Sequence, residues 1–174
     1  RVAQVEKAWA SLRDAFPIDA AASRVGVRLL SEEMEGAARW LSPAAQATLL
    51  AGLRTTSGLV GMEPGRFDLA VRMRHAAFTA LMRGLSPSEL LAALAEARRP
   101  DAFDGLHPVA ANWLLIARRC EMMAVYQLLP APQRKQALAQ ARDTFQDGLD
   151  TPEDFGKVKV VHDLREEEFR ACLF

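Results

Sequence analysis

Three histidines and two cysteines are the residues of this 174-residue chain best suited to chemistry, and their spacing decides what they can do. His75 stands within RMRHAAF, His107 at a helix start and His162 beside a valine run. None is read as part of a metal-binding pattern, because zinc sites gather Cys, His and carboxylate ligands at short, fixed spacings. Cys120 lies inside a helical pattern and Cys172 near the last residue. Two such thiols make no disulfide framework, and a reducing, cytoplasmic compartment is the expectation. The runs Glu32, Glu33, Glu35 and Glu166, Glu167, Glu168 set neighbouring carboxylates in different directions around a helix, so both are expected on solvated faces. Residues 58–66, GLVGMEPGR, resemble a phosphate cradle before a helix. They lack the Gly-Lys-Ser/Thr ending and the preceding strand of a P-loop, and read as a connector. There is no nucleophile elbow either. No catalytic residue, metal or cofactor is assigned, and the sequence leans away from an enzyme.

The elements that would position any site are helices. Half of the residues are hydrophobic and the net charge is zero, which excludes a disordered chain and argues against a nucleic-acid partner. No apolar run approaches the roughly 18 residues of a membrane span, so no membrane association is expected. Arg outnumbers Lys 18 to 4, a bias that reads as a GC-rich, bacterial source. Val2, Val5, Trp9, Leu12 and Phe16 recur at helical spacing, and a second helix follows from Asp19 to about Leu41. Ser42-Pro43 and Ser86-Pro87 are caps followed by Pro at the first helical position, and Glu89 completes a capping box. Pro108 opens the widest apolar pattern, with Val109, Trp113, Ile116, Cys120 and Met123 on one stripe, so residues 108–129 are predicted to be the central buried helix. A last well-patterned helix carries Leu138, Ala141, Phe145 and Leu149.

The sequence therefore predicts an all-α fold of six or seven helices, divided into a helical domain over 1–150 and a C-terminal tail over 151–174. Leu41-Ser42-Pro43 recurs 44 residues later as Leu85-Ser86-Pro87, and a further 44 lands on Leu129-Pro130. That spacing suits stacked α-hairpins, although Ser-Pro also starts unrelated helices well. In the tail, Lys157-Val-Lys-Val-Val161 alternates as a strand does, and a short terminal helix is expected from about Asp163.

Charge is unevenly placed. Residues 54–142 carry 12 basic and 7 acidic groups, a net of +5, whereas residues 143–174 carry 4 and 9, a net of −5. The acidic tail, with Leu164, Phe169, Leu173 and Phe174, is expected to dock on the basic body of its own chain, on a second copy as a homodimer, or on a protein partner. The leading expectation is a helical protein–protein interaction module, as an adaptor, chaperone-like or regulatory domain. The alternative is a small-molecule or haem-binding sensor. It would use a pocket between helices near His75 and the apolar helix over residues 109–126. Haem is suggested by QVEKAWASLRDAF, which resembles the first helix of a globin, and by DLAVRMRHAAF, which resembles the segment carrying a globin's proximal histidine. The resemblance would make His75 the cofactor-binding residue.

Overall fold

The computed structural model describes residues 28, 32–56, 59–60, 64–147 and 155–172. These residues are helical with short connections, and among them there is no strand. Residues 32–38 end one helix; the helix expected over residues 2–16 lies outside the described residues. Then follow α1 (Pro43–Leu53), α2 (Pro64–Met82), α3 (Pro87–Ala97), a 3₁₀ turn (Pro100–Phe103), α4 (Pro108–Leu128), α5 (Ala131–Asp147) and α6 (Phe155–Cys172).

Local chemistry sets the starts. The Ser42 hydroxyl accepts from the Ala45 amide at 3.2 Å, and Pro43 occupies the first turn, where a missing N–H costs nothing. At Ser86 the capping box is complete: the side chain accepts from the Glu89 amide, and Glu89 accepts from the Ser86 amide at 2.7 Å. His107 caps α4, its Nδ1 accepting from the Val109 amide at 3.3 Å. Gly105, at φ +72, turns the chain into that cap.

The helix starts repeat. Pro43, Pro87 and Ala131 open α1, α3 and α5 at intervals of 44, and Pro64 and Pro108 open α2 and α4 at the same interval. Burial follows the same register: Met34, Phe78 and Met122 are buried at 6%, 0% and 0% exposure, and Leu59 and Phe103 are buried in equivalent loops. Each unit, over residues 43–86, 87–130 and 131–174, pairs a shorter helix with the longer helix that follows it. The longer helices stack side by side, α4 packing on α2 and on α6, while α3 packs on α4 and α1 on α2. Contacts between Phe67 and Trp113, Val71 and Cys120, and His75 and Gln127 advance together along α2 and α4, so these two helices run in the same direction. That is the relation between equivalent helices of successive stacked α-hairpins.

Central burial belongs to the second half of α4, where Ala117, Cys120, Met122, Ala124 and Val125 are fully enclosed. The first half is more open than its stripe implied: Val109 is exposed and Trp113 half-buried, its ring tilted on Phe67 at 5.5 Å between centroids. Trp113→Ala should therefore cost about 1–3 kcal/mol in chemical denaturation, below the range for a fully enclosed aromatic. A loss under about 0.5 kcal/mol would show that the Phe67–Trp113 contact stabilises nothing.

The tail corrects two expectations. Residues 157–161 are not extended; they are early turns of α6, and no separate short helix starts at Asp163. Val161, Leu164, Glu168 and Ala171 recur at spacings of 3 and 4, a helical stripe that a five-residue window of alternating Lys and Val conceals. This helix packs on α4 and is part of the stack.

Candidate functional site

The most unusual groups are charges without water. Glu121 is fully buried on α4 and Glu168 is 1% exposed on α6. Arg54, the C-cap of α1, reaches Glu121 with Nε at 2.8 Å and Nη2 at 2.5 Å, and Arg118 approaches the other carboxylate oxygen at 3.4 Å. Arg98, the C-cap of α3, places Nε 3.1 Å from both oxygens of Glu168, and Arg165 donates to the same carboxylate at 2.8 Å. The two clusters are one motif used twice. In each, the arginine lies 11 residues after the start of a shorter helix and pairs with a glutamate on the longer helix of the next unit. In each, the second arginine stands three residues before that glutamate. The sequence separation is 67 in the first cluster and 70 in the second.

The second cluster has more partners. The Tyr126 hydroxyl donates to Glu168, and Arg98 also donates to the Ala137 carbonyl at 2.9 Å, which ties α3, α4, α5 and α6 together. Burial, then the Glu168 charge and hydrogen bond, pushes the Tyr126 hydroxyl well above the ordinary tyrosine range. Burial raises the Glu121 carboxyl while Arg54 and Arg118 oppose it. The clusters are enclosed and both carboxylates are paired with guanidinium groups, although Arg118 Nε is buried without a partner among the described residues, so the carboxylates act as staples between units. In unit 43–86 the equivalent arginine, Arg74, stands three residues before Ala77, where later units have glutamate; it donates to the Leu53 carbonyl at 2.8 Å and to that of Thr55.

The expected site residues are scattered. Leu164 is buried against the body, Phe169 is 40% exposed, and Leu173 and Phe174 lie outside the described residues. The tail docks on its own chain, and the charge partition is realised in Arg98–Glu168 and in Arg119–Glu167 at 3.1 Å. The glutamate run is thus no uniform solvated face: Glu166 is exposed, Glu167 half-buried and Glu168 enclosed. His75 lies on α2 against Gln127 of α4, and its Nε2 is buried without a hydrogen-bond partner among the described residues. His162, Asp163 and Glu166 bring ligand atoms within 4.8 Å of one another, a grouping passed over in the sequence although Glu166 lies four residues after His162. Glu166 is engaged there by Arg170 at 2.6 Å, and His162 and Glu166 are exposed. No protein-family profile, curated protein or solved structure matches this chain.

Cys120 gives the packing a pH signature. Its enclosed thiol is pushed up to about 11 from an ordinary 9.0, chiefly by burial. A group whose folded value is raised contributes stability that is complete below the unfolded value and is lost as pH climbs through the folded one. Unfolding free energy should fall between pH 9 and 11 by up to about 3 kcal/mol from this thiol. Cys120→Ala should remove that part of the alkaline slope; an unchanged slope would show that the thiol is not enclosed.

Proposed function

We propose that this chain is a helical-repeat interaction module, an adaptor or regulatory unit that binds another protein in a reducing, cytoplasmic setting. The observation that carries this reading is a row of exposed apolar residues on one edge of the stack. Because α2 and α4 run in the same direction, the connections that enter them lie at the same edge. Val60 (59% exposed), Leu106 (40%) and Val109 (57%) stand there in successive units. Stacked hairpins offer extended surfaces of this kind to partner segments, and aliphatic contacts would anchor one. A net charge of zero favours a protein over a nucleic acid, and no described helix is long and apolar enough to cross a membrane. The test is a variant with Val60, Leu106 and Val109 all changed to Asp, compared with the native chain in cross-linking from an extract of the source cells. Native helicity with loss of the captured protein supports the reading. Equal capture by both chains removes it.

The buried Nε2 of His75, without a hydrogen-bond partner among the described residues, favours a second reading, a haem-binding sensor. Burial lowers the pKa of this ring, with Gln127 opposing, which leaves a neutral imidazole suited to ligation. A Soret band in the purified protein that disappears in His75→Ala would establish it; a colourless protein that takes up no added haem would dismiss it.

A further inference from the structure

Among the described residues, three side chains able to ligate a metal meet on one turn of α6. His162, Asp163 and Glu166 each bring a ligand atom there, and these atoms all lie within 4.8 Å of one another. The helix supplies the proximity. Residues three and four apart are neighbours on its surface, so Glu166 meets both Asp163 and His162. His162 Nδ1 stands 3.8 Å from Asp163 Oδ1. Ligands held about 2.0–2.2 Å from one zinc ion stand at most roughly 4.4 Å apart. The first pair already meets that limit, and rotation of the exposed Glu166 side chain brings in the third ligand.

The donor set selects the ion. One imidazole nitrogen beside two carboxylates suits divalent transition cations of the zinc type, whereas magnesium and calcium take shells of oxygen. The present partners of the carboxylates compete only weakly. Lys159 Nζ lies 3.9 Å from Asp163, and Arg170 donates to Glu166 at 2.6 Å and to Glu167 at 2.9 Å. The side chains of Lys159 and Arg170 are 80% and 51% exposed, and ion pairs so open to water contribute little. When a cation takes their place, Arg170 keeps Glu167 and Lys159 returns to water. Three protein ligands leave a further position on the ion for water or an outside ligand.

We propose that His162, Asp163 and Glu166 form a surface site for a divalent transition cation, with zinc as the reference ion. The inference goes beyond the interaction-module reading and does not rest on it, since it uses none of Val60, Leu106 and Val109. Binding ties together one turn of the helix that packs on α4, so the folded chain gains stability as the metal is added.

The test is calorimetric titration of the full chain with zinc chloride, with magnesium chloride as the contrast and helicity checked for each variant. The native chain should take up zinc and melt at a higher temperature in its presence, and magnesium should do neither. In NMR spectra the ring signals of His162 should shift on adding zinc while those of His107 hold. His162→Ala and Glu166→Gln should each weaken zinc binding by at least about tenfold, the lower end of the loss caused by removing even outer-shell partners of a metal. Arg170→Gln should tighten it, because Glu166 is then released. Zinc uptake undiminished in His162→Ala, magnesium bound as tightly as zinc, or no uptake at about 1 mM zinc would overturn the proposal.

Discussion

Replacing Glu168 by Gln should destabilise the protein by about 3–5 kcal/mol, the range for removing one member of a buried ion pair. The amide keeps the shape but leaves the guanidinium groups of Arg98 and Arg165, 16% and 9% exposed at their side chains, without a countercharge. Hydration cannot compensate at such burial. The loss belongs to leaving charges unmatched rather than to a large net value of the pair. Replacing Arg98, Arg165, Glu168 and Tyr126 together with Met, Met, Leu and Phe should accordingly return the stability to within about 2 kcal/mol of the native chain. Urea unfolding of both variants checks this. A single variant within about 1 kcal/mol of native would show that water reaches the cluster.

The second large effect is expected from ending the chain at residue 154. That removes α6, uncovers the face of α4 on which Leu164 and Ala171 pack, and strips Arg98, Tyr126 and Arg119 of their partners. With total stabilities of about 5–15 kcal/mol for natural domains, loss of both the apolar cover and a buried staple should abolish cooperative unfolding. Near-native helicity without a sharp thermal transition is the expected state of the shortened chain. A shortened chain that melts cooperatively near the native temperature would show that residues 1–154 fold alone and that α6 is an appendage.

The parts of this fold legible in the sequence are those set by local chemistry. Ser42-Pro43 and Ser86-Pro87 mark helix starts because a hydroxyl cap and a proline each satisfy a need of the first turn, whatever surrounds them. The enclosed half of α4 was visible as apolar width. The 44-residue repeat was visible only as a tripeptide, since packing conserves burial and helix starts while residue types drift, as from Met34 to Phe78 to Met122. The staples were hidden for a different reason. Adjacent glutamates do point in different directions, but that rule leaves one of Glu166, Glu167 and Glu168 free to point inward once Arg98 waits there. The signal was the 44-residue spacing of Arg54 and Arg98, with Arg118-x-x-Glu121 echoed by Arg165-x-x-Glu168. The alternation in Lys157–Val161 misled because its valines are also spaced for a helix.

Double-mutant cycles on the two staples test most directly whether successive units are joined by equivalent buried charge pairs. Arg54→Met with Glu121→Gln, and Arg98→Met with Glu168→Gln, each isolate the coupling between a shorter helix and the longer helix of the next unit. Coupling of about 2 kcal/mol or more at both sites is the expected result, within the range for neighbours in one network. Coupling below about 0.5 kcal/mol at either site would contradict a repeated staple.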